Sequence, residues 1–348
     1  MKQIGKKIIN IEHADNVHVS PDLSGATEKL NQVIESIPGL IESTIMMLSS
    51  KNASRIPVSE KSPVVPASLQ NICKDTIGIG DIVMSHWQID RCIGKGSIST
   101  VYEAHHTADS LYKSAIKVVH SSFEYFDITN TDATHEVYDA SSMIQMELGN
   151  MVELKGTGYI VEYEDHEAVE NADGSQDIII RMELLHPLPE VLRSKMLPRD
   201  EVVKLGIDIC KALKYCEKDG IIHGDVKPSN IYVTKWGGYK LGDFSASLKT
   251  KDSRNSNRIG TLKYMAPEVY NGKPFTGNID TYSLGLILYE LMKSAETDLS
   301  ERLSGAPLPL IPGIDKCLQS IISKACSYDP SKRFSSATEM LDKLLKAQ

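Results

Sequence analysis

The sequence predicts an α+β chain of two lobes, a smaller one made mostly of antiparallel strands with one main helix and a larger helical one, facing each other across a cleft. Three observations predict it. From about Val83 the apolar residues come in short alternating runs separated by turn residues. After Pro198 the pattern becomes helical, through Val202, Val203, Leu205, Ile207, Ile209 and Leu213. Strands come early and helices late, an order that segregates them into two layers and leaves the loops between them to form a cleft.

Composition narrows the class. The chain has 348 residues, room for one large domain or two smaller ones. Its 41% hydrophobic and 24% charged content is that of a soluble globular protein. The net charge of −8 argues against nucleic acid as a partner, because a phosphate backbone rewards basic surfaces. No run approaches the ~18 apolar residues of a membrane span. Met1 to Lys7 is not followed by an apolar stretch of the kind a signal peptide carries, so no membrane partner is expected. Cys73, Cys92, Cys210, Cys216, Cys317 and Cys326 form no C-x-x-C pair, which reads as reduced thiols in a cytoplasmic protein.

Residues 1–52 form an N-terminal extension. Ile9 and Ile11, then Val17 and Val19, flank His13–Asn16 and read as a β-hairpin. Leu30, Val33, Ile34, Ile37, Ile41, Ile45 and Leu48 follow at helical spacing, interrupted by Pro38. That apolar stripe wants a partner surface, so self-association or partner docking is expected of it. Residues 53–82 read as a linker, and 83–346 as the main domain. Within it, Trp87–Asp90 and Thr100–Ala104 are strand-like and flank a glycine-rich loop. Lys113–Val119 is a further strand, and Ile160–Glu164 and Ile178–Glu183 alternate on either side of an Asn171–Gly174 turn.

The chemistry is carried by His223-Gly224-Asp225-Val226-Lys227-Pro228-Ser229-Asn230 and Gly242-Asp243-Phe244-Ser245. These residue types at this spacing are what phosphoryl transfer needs. Asp225 can accept a hydroxyl proton, Lys227 can neutralise the migrating phosphoryl group, and Asn230 and Asp243 can hold the magnesium ions that bridge nucleotide phosphates. Upstream, Gly94-Lys95-Gly96-Ser97-x-Ser99-x-Val101 offers backbone N–H groups to phosphates, because its glycines permit close approach. Lys117, in Ala115-Ile116-Lys117, can hold the α- and β-phosphates and needs a carboxylate partner from a helix, with Glu136, Glu147 and Glu153 as candidates. Met182-Glu183-Leu184-Leu185 is placed as an interlobe hinge, where the Glu183 and Leu185 backbone can bond adenine and side-chain identity matters little. Residues 120–140 read as an insertion.

Taken in order, these motifs resemble the eukaryotic-type protein kinase family over about residues 85 to 345, in the serine/threonine form similar to the versions found in bacteria. The resemblance implies a bilobal protein-kinase fold, MgATP in the cleft (Mn2+ an acceptable substitute) and protein substrates. It singles out Glu147 as the partner of Lys117 and makes Met182 the gatekeeper. It places adenine between Val101, Ala115 and Tyr232, the last bulkier than the usual leucine. It further implies that Asp280 braces the catalytic loop and that Glu268, in Ala266-Pro267-Glu268, pairs with Arg333. Lys227 with Thr261 points to serine and threonine hydroxyls.

Two positions depart from the family pattern. Gly224 stands where an arginine normally grips an activation-segment phosphate, so Ser245, Ser247, Thr250, Ser253 and Ser256, all possible phosphoacceptors, lose their main charge-assisted partner. Little dependence on phosphorylation there is therefore expected. Ser245 replaces a glycine and should leave the Asp243 loop less free to flip. A pseudokinase scaffold and a small-molecule phosphotransferase are the alternatives. The full set Lys117, Asp225, Asn230 and Asp243 argues against the first. Lys227 and the Ala266-Pro267-Glu268 segment argue against the second, though Gly224 is shared with it.

Overall fold

The computed structural model describes residues 2–4, 7–11, 17–18, 77–96, 99–120, 140–171, 176–193, 196–250, 260–295, 297, 302–303 and 305–348. They fall in two units. The first carries three short strands, β1 (Lys2–Ile4), β2 (Lys7–Ile11) and β3 (Val17–His18). β2 pairs antiparallel with β3, Ile11 opposite Val17, as the alternation predicts. β1 adds a third strand that the sequence reading did not assign. The helix expected over Leu30 to Leu48 and the insertion of 120–140, save its ends, lie outside the described residues.

The second unit opens with a six-stranded antiparallel sheet. Its strands are β4 (Ile82–Val83), β5 (Trp87–Lys95), β6 (Ser99–His106), β7 (Asp109–His120), β8 (Tyr163–Glu170) and β9 (Gln176–Met182), in the order β4-β5-β6-β7-β9-β8. Side chains alternate faces along a strand. One face buries Trp87, Ile89, Ala104, Ile116, Val118 and Ile179 as a core of its own. The register sets the opposite face. Val101 lies across from Lys117, and Ala115 across from Met182, so these four share the side away from that core. Helix α1 (Ala140–Glu153) connects β7 to β8.

The remaining elements are mostly helical. They are β10 (His186–Pro187), α2 (Leu188–Leu192), α3 (Arg199–Lys218), β11 (Ile221–Ile222), β12 (Ile231–Val233), β13 (Tyr239–Leu241), β14 (Leu248–Lys249), α4 (Pro267–Tyr270), α5 (Asn278–Lys293), α6 (Lys316–Ala325) and α7 (Ala337–Ala347). α3 begins where Pro198 ends an extended stretch. Asp200 and Glu201 in its first turn and Lys218 in its last suit the helix dipole. α7 starts at a cap: Ser336 Oγ accepts from the Glu339 N–H while Glu339 reaches back to the Ser335 N–H at 2.8 Å. α3, α5, α6 and α7 bury Leu205, Ile209, Leu284, Leu288, Ile322 and Leu344 in one core. This is the bilobal protein-kinase fold that the early-strand, late-helix order predicts. No helix among the described residues is long and apolar enough to cross a membrane.

Candidate active site

The site assembles where the open face of the sheet meets the loops around β12 and β13. Lys117, on β7 and 6% exposed, donates from Nζ to Glu147 Oε1 at 2.6 Å and to Asp243 Oδ1 at 3.2 Å. Of the three glutamates the residues alone left open, Glu147 on α1 holds the lysine. Glu153 pairs instead with Lys249 at the surface, and Glu136 is outside the described residues. Burial works against the Lys117 charge, but the Glu147 and Asp243 carboxylates outweigh it and hold the ammonium above its ordinary value. Burial likewise pushes Asp243 up, yet Lys117 and a hydrogen bond from Ser245 bring its carboxyl down to about 2. Asp243 is therefore ionised at neutral pH. Its backbone sits at φ 64°, the left-handed region a non-glycine residue adopts only when its surroundings hold it there.

The loop from His223 to Asn230 is organised by the buried carboxylate of Asp280. Asp280, on α5, accepts the backbone N–H of His223 at 2.8 Å and of Gly224 at 2.9 Å. His223 is fully buried; its Nδ1 accepts the Asp225 N–H, which leaves Nε2 to donate to the Gly242 carbonyl at 3.2 Å. Its ring also meets Phe244 edge-on at 4.8 Å. These bonds aim Asp225. Its Oδ1 accepts the Thr261 N–H at 2.7 Å, and its Oδ2 lies 2.6 Å from Lys227 Nζ and 3.3 Å from Asn230 Nδ2. Lys227 also donates to Thr261 Oγ1 at 2.9 Å. The Asn230 Nδ2 is thus turned toward Asp225, where it meets the main-chain carbonyl at 3.0 Å as well, and its amide oxygen has no protein partner among the described residues.

Gly224 has more meaning in the structure than the loss of an arginine. It takes φ 77°, and a Cβ placed on Gly260 (φ 87°) would lie 2.2 Å from the Gly224 carbonyl oxygen. Backbone there packs on backbone, and only glycine fits at 260. The contact delivers Thr261 to Asp225 without any side chain at 224.

The positions expected to face a nucleotide are less tightly specified. Gly94 and Lys95 end β5 and Gly96 follows, its N–H donating to the Ser99 carbonyl at 2.7 Å; Ser97 is outside the described residues. Val101, Ala115 and Met182 line the sheet face that carries Lys117. From the other side come Tyr232 and Gly242: a Cβ at 242 would meet the Tyr232 ring at 3.0 Å and Val161 Cγ2 at 2.6 Å. At the hinge, the Glu183 carbonyl and the Leu185 N–H make no protein hydrogen bond among the described residues, which suits them to a planar base edge. The expectation that side-chain identity matters little there needs correcting for Glu183. Its carboxylate accepts the Glu162 N–H at 2.7 Å and pairs with Lys240, a 57-residue closure that fastens the hinge to β13. The signal was a charged residue inside an apolar run.

Ser245 and Ser247 also differ from their reading as phosphoacceptors. Ser245 Oγ donates to Asp243, and Ser247 is 4% exposed with its hydroxyl bonded on both sides. Behind the site, Glu268 and Arg333 form the expected pair, bidentate at 2.6 and 2.7 Å. Asn150, Ser247 and Gly260 contribute to this site and were assigned no such role from the sequence, and Glu183 was placed there for its backbone alone.

Residues 87–345 match the protein kinase domain family. The chain is similar to a probable serine/threonine-protein kinase, PknB, of Lactococcus lactis, 26% identical over 76% of this chain and 42% of the relative. It is similar to the serine/threonine-protein kinase PknH of Mycobacterium tuberculosis, 27% identical over 73% of this chain and 40% of the relative. A Wee1-like protein kinase of Oryza sativa is 36% identical over 50% of this chain and 35% of its own length. The chain thus spans about two-fifths or less of each of these relatives. With the match running from β5 to α7, and Lys117, Glu147 and Asp243 brought together beside the His223–Asn230 loop, the chain belongs to the protein kinase domain family.

Proposed function

We propose that the chain transfers the γ-phosphoryl group of MgATP to serine and threonine hydroxyls of protein substrates, with residues 83–346 as the catalytic domain. The observation that carries this reading is the Asp225–Lys227–Thr261 constellation. A carboxylate fixed by a backbone N–H and an ammonium, with Thr261 at its side, suits an incoming protein hydroxyl. Asp225 takes the hydroxyl proton. Lys227, already beside that carboxylate, meets the charge that develops on the transferring group. Lys117, held by Glu147, is the cation for the α- and β-phosphates. Gly94, Lys95, Gly96 and Ser97 cover the phosphates, Val101, Ala115, Met182 and Tyr232 enclose the adenine, and Glu183 and Leu185 bond its edge. Asn230 and Asp243 fit a hard cation, since each presents an oxygen with no protein partner among the described residues, the donor type that magnesium and manganese take. When bound, the metal neutralises phosphate charge in this cleft.

Activation-segment phosphorylation matters little in this reading. Gly224 offers no guanidinium, and the Gly224–Gly260 backbone contact holds Thr261 against Asp225 by itself. Residues 1–52 serve self-association or partner docking. Deleting them should change the size of the particle in solution or its capture of substrate, and no change in either contradicts that role.

The test is incubation of the purified chain with labelled ATP and magnesium, alone, with generic protein substrates and with aminoglycoside-type small molecules. Label on serine and threonine of protein is the expected result. Label confined to the small molecule, or none at all, overturns the reading.

A further inference from the structure

A metal-binding carboxylate on a loop loses affinity if it must first be ordered, because orienting a free side chain costs entropy. Around Asp243 that ordering is supplied by groups that the reaction above does not use. Ser245 Oγ donates to Asp243 Oδ1 at 2.9 Å, the same oxygen that accepts from Lys117 at 3.2 Å. Oδ2 has no protein partner among the described residues, so one carboxylate oxygen is engaged and the other is left for a ligand. Two residues on, Ser247 donates to the Phe244 carbonyl at 2.5 Å and accepts from Asn150 Nδ2 at 2.8 Å. Asn150 is 1% exposed, Ser247 4% and Phe244 1%.

Asn150 lies three residues beyond Glu147 on α1, so the two side chains share a helix face. α1 therefore holds the metal loop at two points. Glu147 acts through Lys117 on Asp243, and Asn150 acts through Ser247 on the main chain of Phe244. Between them Ser245 closes a short bond within the loop. A glycine at 245 would supply neither the hydroxyl nor the backbone restriction.

We propose that Ser245, Ser247 and Asn150 are positioning residues for metal capture: they preset the Asp243 carboxylate and tie that preset to the placement of α1. The proposal rests on the metal role assigned to Asp243. It also assigns the two serines a structural use in place of phosphorylation, because a phosphate on Ser247 would have no room beside Asn150 and the Phe244 carbonyl.

The test uses the full chain and measures divalent-metal binding to the nucleotide-loaded protein directly by calorimetry, beside transfer to a peptide as free magnesium is titrated above a fixed ATP concentration, with thermal melting as a check on folding. Ser245→Ala keeps the Cβ and removes the hydroxyl; Ser245→Thr keeps both. Ser245→Ala should raise the half-saturating magnesium concentration about tenfold, the order expected for one hydrogen bond to a charged group. Its peptide KM should stay within about twofold, since that binding is not touched. Ser245→Thr should restore the wild-type titration. The pair Asn150→Leu with Ser247→Ala, which replaces both bonding partners, should shift the titration in the same direction by about threefold, the smaller effect expected of an indirect contact. A wild-type magnesium titration in Ser245→Ala, or a Ser245→Thr enzyme as impaired as Ser245→Ala, overturns the proposal. An Asp243→Ala control separates the two levels. If Asp243→Ala is inactive while Ser245→Ala titrates normally, the positioning role alone is wrong. If Asp243→Ala keeps metal-dependent transfer, the metal role falls and the positioning role with it.

Discussion

Among the described residues two ion pairs are buried on both sides, Lys117–Glu147 and Arg333–Glu268, and they are finished differently. At Arg333 four of the five guanidinium N–H groups are bonded. Nη1 and Nη2 meet both oxygens of Glu268, Nε donates to the Ser327 carbonyl at 2.7 Å, Nη2 also reaches the Tyr328 carbonyl, and the guanidinium lies 4.6 Å from the centre of the Tyr282 ring. At Lys117 one ammonium is divided between two carboxylates, and Asp243 keeps an oxygen that no protein group takes among the described residues. Burying charge is costly, and a fully bonded pair offsets that cost while an open one leaves part of it standing. The Arg333 pair, with both Glu268 oxygens met, is a fastening. The unsaturated one is a site that a cation and phosphates can complete.

The contrast can be broken at either end. The largest effect is expected at the open end: Asp243→Ala should lower MgATP-dependent transfer by about 10³-fold or more, the scale seen when a charge-stabilising group is removed from an active site. Melting should fall modestly, by less than in the Arg333 variant below, because the depressed Asp243 carboxylate contributes stability while Lys117 retains Glu147. The mirror-image change is Arg333→Met, which leaves Glu268 buried without its partner. It should cost about 3–5 kcal/mol of stability in denaturant titrations while the folded fraction turns over at close to the wild-type rate. A large loss of turnover in fully folded Arg333→Met, or of stability alone in Asp243→Ala, would dissolve the distinction.

A smaller effect concerns pH. The Asp243 carboxyl is depressed from 3.8 to about 2. A group whose folded value is depressed stabilises the fold above its ordinary value and loses that contribution as pH falls through the folded one. The stability difference between wild type and Asp243→Asn should therefore stay constant from neutral pH down to about 4 and shrink only toward pH 2. A difference that disappears between pH 6 and 5 would mean that Lys117 does not hold this carboxylate. The smallest effect is expected from Thr250→Ala, Ser253→Ala and Ser256→Ala combined. With no arginine at 224, transfer to an external substrate should change by less than about threefold, under 1 kcal/mol. A fall of more than about tenfold would show that another basic residue has taken over the missing arginine's role.

Much of this was legible in the sequence because the chemistry demands particular residue types at short spacings. Asp225, Lys227 and Asn230 lie within six residues, and Asp243 follows one hairpin later. The strands and α3 were legible because their apolar periods are regular. The rest depended on contacts between distant segments, which no local pattern encodes. Glu183 with Lys240, Asn150 with Ser247 and Gly260 against Gly224 join residues 57, 97 and 36 positions apart. Gly224 is the instructive case. As a sequence it is an arginine that is missing; as backbone it is a left-handed turn whose carbonyl receives Gly260. Ser245 and Ser247 are read as phosphoacceptors only until their hydroxyls are seen to be engaged.

The most direct test of the central claim compares Asp225→Asn with wild type in two measurements on the same preparation: affinity for the magnesium–nucleotide complex and rate of transfer to a serine- or threonine-containing substrate. Asp225 contacts Thr261, Lys227 and Asn230 and is assigned to the hydroxyl, not to ATP. Affinity should stay within about threefold while transfer falls by about 10²–10⁴-fold, the contribution of a positioned base. Wild-type transfer by Asp225→Asn, or loss of nucleotide affinity in parallel with transfer, would contradict the account.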